Sequence, residues 1–105
     1  MQNSYKLKFT PIANGDLYGI YRYISEHLVA PKAANDLMDN IETSIMRLKD
    51  FPYSGSLVAD DILNSRGYRK LIVKNYIVFY LIDEAEEQVV IMRVLYGSQQ
   101  YEKLL

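Results

Sequence analysis

The chain has 105 residues, half of them hydrophobic and 24% charged, and carries a formal net charge of −1. That is enough apolar material for a core without staples, and too little positive charge for the general affinity of a strongly basic nucleic-acid binder. With no cysteine and a single histidine, His27, disulfides, thiolate chemistry and a Cys- or His-built metal cage are excluded, and no apolar run approaches the roughly 20 residues of a membrane span.

The opening MQNSYKLKF has neither the apolar stretch nor the cleavage site of a secretory signal, so the expected address is the cytoplasm. Tyr5, Leu7 and Phe9 alternate with Lys6, Lys8 and Thr10, the period of a half-buried strand. Asn14, Gly15 and Asp16 suit a turn and helix start. Leu17, Ile20, Tyr21, Ile24 and Leu28 then form one stripe of a helix. On it, Tyr18, Tyr21 and Tyr23 read as core and rim residues, and His27 sits where a helix dipole favours it. Pro31 fits the first turn of a second helix, where its missing N–H costs nothing. Ala34, Leu37, Met38, Ile41, Ile45 and Leu48 make its apolar stripe, which ends at DFPYSG. A link as short as Val29 and Ala30 predicts an antiparallel helical hairpin.

Residues 52–65 show no clear period and read as an ordered loop. Asp60 and Asp61 within it have no further ligand near in sequence, so a solvated turn is the simpler reading than a metal pair. Three strands follow, at about 68–73, 76–82 and 89–96, joined by Lys74-Asn75 and by the polar stretch 83–88. The order β-α-α-β-β-β predicts one α+β domain over residues 1–105. Its helical hairpin packs on one face of a mainly antiparallel four-stranded sheet. The opposite face, with the tail after Gly97, is left for function.

Candidate functional side chains gather in the second half: Arg66, Arg69, Lys70 and Lys74 on and around one strand, Arg93 on the last, Tyr96 at its end and Tyr101 after it. The plain reading of the first group is a solvated strand face with aliphatic stems laid on the sheet. Side chains alternate along a strand, so Arg69 and Lys70 point to opposite faces and cannot share one cation cluster without a bulge. A charge on a central strand is costly unless paired, and Glu42, Asp50 and Asp83 are the expected partners of Arg93. No motif calls for a cofactor or a metal.

The element order and five stretches, DLYGIYRYI, AANDLMDNIETSIMRL, FPYSG, YRKLIVKNYIVFYLID and VVIMRVLYG, resemble the RelE/ParE superfamily of toxins from bacterial type II toxin–antitoxin systems, from about Tyr5 to Tyr101. The RelE-like branch cuts ribosome-bound mRNA with clustered cations and a tyrosine. Such cations stabilise the pentavalent phosphate by presenting charge where negative charge develops. The ParE-like branch keeps the fold, lacks that set and poisons DNA gyrase. The RelE pattern places an arginine directly after the aromatic that opens the third strand, where this chain has Ile77. It places another after the last strand, where Ser98, Gln99 and Gln100 are uncharged. The resemblance therefore favours the ParE branch, with Arg69, Lys70, Lys74, Arg93, Tyr96 and Tyr101 as target-binding residues. The alternative is an mRNA interferase using Arg66, Arg69, Arg93 and Tyr101; a third reading is an inactive interaction module. The resemblance also implies a cognate antitoxin that folds on the toxin, over a groove lined by the hairpin and the sheet edge of the first or last strand. Operator DNA binding would belong to that partner.

Overall fold

A computed structural model describes residues 4–99 and 101–105, so Gln100 lies outside the described residues. Strand β1 (Lys6–Phe9) leads into α1 (Pro11–Arg22), whose last turn widens into a π-helical segment, Tyr23–His27. The helix begins earlier than the expected start at Asn14. Thr10 caps it, its hydroxyl oxygen accepting from the Ala13 N–H at 3.0 Å, and Pro11 occupies the first turn. Pro31 opens α2 (Pro31–Met46) as expected, and a 3₁₀ turn, Arg47–Lys49, ends it. Between the helices Val29 takes φ +48°, a strained conformation for a β-branched residue.

The stretch read as a loop contains two elements. Strand β2 (Ser56–Leu57) pairs antiparallel with β3 (Arg69–Val73), and α3 (Asp61–Ser65) is capped by Asp60, whose carboxylate accepts from the Leu63 N–H at 3.0 Å. Both are too short to show a period. Strands β4 (Tyr76–Asp83) and β5 (Gln88–Tyr96) complete a sheet of five strands rather than four, in the order β1-β5-β4-β3-β2. Only β1 runs parallel to its neighbour; the other pairs are antiparallel. The last strand is therefore internal, and the outer strands are β1 and β2. Lys74 makes the β3–β4 turn with φ +56°.

One face of the sheet carries the hairpin. Ile41, Ile45 and Leu48 interleave there with Val78, Tyr80, Val89, Ile91 and Val94, all essentially sealed from solvent. At about 1.5–3 kcal/mol for each large side chain, this burial is what holds the helices down. Leu28, expected in the same stripe, is instead exposed. The opposite face is not open, contrary to expectation. Val58, Leu63, Tyr68, Phe79 and Leu95 form a second core there, with Tyr101 and Leu105 of the tail packed over it. The register between β4 and β5 slips once: Phe79 faces Arg93 but Tyr80 faces Ile91, leaving Met92 as a bulge.

Candidate functional site

Two features of the fold leave a hollow at one end of the sheet. β1 stops opposite Ile91 while β5 runs on to Tyr96, and the end of α1 widens into the π-helical segment Tyr23–His27, whose Tyr23 and Ile24 line the space. The hollow measures about 980 Å³ and lies between α1, the start of α2, the β3–β4 turn and the end of β5. Its floor is apolar, with Ile20, Ile24, Leu37 and Leu95, and its helix wall is bare backbone at Gly15 and Gly19. Tyr23, Tyr76 and Tyr96 supply aromatic walls; Tyr76 and Tyr96 meet edge to face at 5.5 Å. Burial first, and then the neighbouring Tyr96 and Tyr23, push the Tyr76 phenol above its ordinary value, so it is a neutral donor at pH 7.

The charges at this hollow are few. Arg93 Nε and Nη2 donate to the two oxygens of Asp16 at 2.8 and 2.9 Å, and Nη1 donates to the Leu104 carbonyl at 3.1 Å. That bidentate pair holds the guanidinium charged, its pKa raised chiefly by the Asp16 hydrogen bond. Asp16 was expected only as a helix-start residue, and the expected partners Glu42, Asp50 and Asp83 do not reach Arg93. Lys74 lies at the opposite rim and makes no ion pair among the described residues.

The other sequence-derived candidates lie elsewhere. Arg69 sits over the Tyr53 ring, 5.2 Å from its centroid, and donates Nη2 to the carbonyls of Tyr53 (3.2 Å) and Gly55 (2.5 Å). With Tyr80, whose hydroxyl accepts from the Gly55 N–H at 3.0 Å and donates to the Pro52 carbonyl at 2.8 Å, it pins the FPYSG loop. β3 and β5 flank β4, so Arg69 and Arg93 start roughly 10 Å apart, and each bonds to a different segment, Arg69 to the FPYSG loop and Arg93 to α1. Lys70 projects to the face opposite Arg69, as the alternation requires, and Arg66 closes the end of α3. Tyr101 packs on Phe79 in the second core, the rings tilted by 39° with centroids 4.8 Å apart. Ile77 also packs in that core. The structure thus brings Lys74, Arg93 and Tyr96 together and disperses Arg66, Arg69, Lys70 and Tyr101. Sequence reasoning missed Asp16, Gly15, Gly19 and Gln99. Two glycines four apart within a helix were the one readable signal, since glycine costs about 1 kcal/mol there relative to alanine.

Among the described residues no group of three potential ligands could hold a metal, and no helix is long and apolar enough to cross a membrane. Chemically, the hollow offers apolar contact, phenolic hydroxyls and one uncommitted ammonium, which is equipment for recognition.

Comparison with known proteins gives the family. The sequence model described as ParE toxin of type II toxin-antitoxin system, parDE, matches residues 7–101. The chain belongs to the ParE toxin family. A chain of the chromosomal ParDE system from P. aeruginosa superposes on this toxin with a TM-score of 0.72, at 20% identity, covering 90% of this chain and 98% of that one. A chain of the RelBE2 toxin–antitoxin complex from Mycobacterium tuberculosis gives 0.62, at 22% identity, covering 89% and 98%. At such identities the two neighbours speak for the fold, and both branches of the superfamily share it. Comparison with curated protein sequences gave no match. The RelE/ParE-like fold expected from the element order is therefore the fold observed, with one strand more than expected.

Proposed function

We propose that this ParE-type toxin arrests growth by binding DNA gyrase, without cutting RNA, and that a cognate antitoxin neutralises it in the cytoplasm. One observation carries the reading. The cations a ribonuclease would need are engaged in holding the fold: Arg93 by Asp16 and the Leu104 carbonyl, Arg69 by the FPYSG loop. Stabilising a pentavalent phosphate takes positive groups already aimed at one point, and each such donor is worth about 3–4 kcal/mol. Among the described residues Lys74 alone is uncommitted at the hollow, and Tyr101 is packed against Phe79. The family match supports a toxin paired with an antitoxin, and both neighbours named above come from toxin–antitoxin systems.

The test separates binding from cleavage. Purified toxin is added to a supercoiling reaction with gyrase and, in parallel, to a translating lysate whose mRNA is mapped for new ends. Loss of supercoiling, or trapped cleaved DNA, with intact mRNA is expected. Codon-specific cuts with unimpaired supercoiling would replace this reading by the ribonuclease one, and Arg69→Ala or Arg93→Ala should then abolish the cuts without unfolding the protein.

A further inference from the structure

The stretch RKLIVK alternates, and its register against β4 shows which side of the sheet each residue takes. Lys70 faces Phe79 and Ile72 faces Ile77, both in the second core, whereas Leu71 faces Val78 of the first. Directly opposed residues share a face, so Lys70 and Ile72 stand on the side that α3 and the tail cover. That cover stops short of the β3–β4 turn. Ile72 is left 66% exposed, and β2 reaches β3 only at Arg69 and Lys70. A hollow of about 400 Å³ opens there, with Ile72 and Ile77 as floor and Lys74, Tyr96, Gly97 and Ser98 as walls. Two turns frame it and are tied together. The Gly97 N–H donates to the Asn75 carbonyl at 2.8 Å, and a Cβ on Gly97 would crowd that oxygen at 3.2 Å. The shape is set before anything binds, which lowers the ordering cost of binding.

The charges here are of one sign. Lys70 and Lys74 make no ion pair among the described residues, and no acid lines the hollow. Asp83, Glu84, Glu86 and Glu87 gather at the far end of β4, about 23 Å away at the rise of a strand. Lys70 and Lys74 start about 13 Å apart along β3, too far to converge on one phosphorus as transition-state stabilisation requires. They suit two separate negative groups with an apolar one between them.

We propose that the stripe Lys70, Ile72 and Lys74, with the hollow beside it, is the surface that docks on the toxin's target, and that the target presents there an apolar side chain flanked by carboxylates. This rests on the reading of a protein target given above. The aliphatic floor selects the class of partner. Bases of a nucleic acid stack on aromatic faces, and Ile72 and Ile77 offer none. A second copy paired across a two-fold axis would set these lysines against like charges, so the occupant is a different, acidic protein surface.

Full-length toxin is compared with Ile72→Asp, with Ile72→Thr, which keeps a β-branched residue on the strand, and with the doubles Lys70→Glu/Lys74→Glu and Lys70→Arg/Lys74→Arg. Lys6→Glu/Lys8→Glu makes the same charge change on exposed residues of β1. Urea unfolding identifies any variant that fails to fold, and Ile72→Thr carries the test if Ile72→Asp is one. The readouts are the toxin concentration that half-inhibits gyrase supercoiling, binding to gyrase alone and to a DNA duplex alone, and growth arrest on induction. Ile72→Asp should raise the half-inhibitory concentration about 30-fold or more, as loss of a central anchor does, and Ile72→Thr by roughly fivefold. The double glutamate variant should raise it about tenfold, with a larger effect at low salt. The arginine and β1 variants should stay within about twofold of the wild type. Folded Ile72→Thr and double glutamate variants of undiminished potency would overturn the proposal. So would an equal loss in the β1 variant, which would mean general charge, or tight duplex binding that the double glutamate change abolishes, which would mean a nucleic-acid surface. Wild-type toxin that spares gyrase yet arrests growth would remove the gyrase reading alone. Growth of the same variants then decides the surface: loss of arrest supports it and retained arrest overturns it. A wild type with neither effect would overturn both.

Discussion

Removing Arg93 tests whether that residue holds the fold or is free to serve as a functional cation. Its guanidinium makes two hydrogen bonds to Asp16, with side-chain exposures of 19% and 14% for the pair. Breaking a fully buried pair by deleting one partner costs about 3–5 kcal/mol, because the other charge is left uncompensated. The residual exposure here admits some water, so Arg93→Ala is expected to cost about 2–4 kcal/mol. Asp16→Ala also strips the Val94 N–H of its acceptor, adding about 1 kcal/mol and making it the more damaging change. The double variant should be less destabilised than the sum of the singles, with a coupling of roughly 1.5–3 kcal/mol. Urea unfolding followed by circular dichroism gives all four free energies. In a domain of this size the single changes correspond to a fall in Tm on the order of 10–25 °C. If both single variants unfold within about 0.5 kcal/mol of the wild type, with no coupling, the pair is not holding the structure. Arg93 would then be free to meet a phosphate, and the main support for the gyrase reading would go with it.

Tyr80→Phe should cost about 2–4 kcal/mol, since it strands the Gly55 N–H and the Pro52 carbonyl in a fully buried setting; a loss below about 0.5 kcal/mol in the same unfolding assay would mean water replaces the hydroxyl. Gly55→Ala should destabilise by a similar or larger amount, because its Cβ would lie 2.5 Å from both the Lys70 carbonyl and the Tyr80 hydroxyl, and the former is backbone that cannot yield. An Ala variant with wild-type stability would show that the loop can re-route. The Tyr5 phenol donates to Glu84 at 2.8 Å, and that bond, followed by desolvation and the carboxylate's charge, pushes its pKa up to about 12. Against an unfolded value of about 10, the folded state holds the proton longer. The contribution of this contact is therefore complete below pH ~10 and is lost as pH rises through about 12. The Tyr53 and Tyr76 phenols are raised as well, so a tyrosinate absorbance titration should show one fewer late-titrating group in Tyr5→Phe than in the wild type, and the wild type should lose stability more steeply across that window. Indistinguishable titrations would remove the basis for this expectation.

Much of the architecture was legible because it follows from periodicity. The stripe Ala34, Leu37, Met38, Ile41, Ile45 and Leu48 repeats at the helical period, and YIVFYLID and VVIMRVLY contain little else than strand formers, so both signals survive without knowledge of neighbours. Pro31 marked its helix start through local sterics alone. The candidate site was harder to see. Ile77 and the uncharged Ser98-Gln99-Gln100 were visible as absences, but the hollow was not. It arises because β1 is shorter than β5, a property of two strands far apart in sequence.

Composition, the periodic stripes and the family-like words, taken alone, determined the fold class, the helical hairpin, the three-strand run and membership of the toxin family, since these depend on residues near one another in the chain or on their order. Only the tertiary structure decided that Arg93 pairs with Asp16, 77 residues away, that Arg69 serves the FPYSG loop, that Tyr101 lies in a second core, and that α3 and the tail cover the face expected to be open. The physical reason is that a side chain's partner depends on which segments pack together in space. A bulge at Met92 of a single residue is enough to decide where Arg93 points.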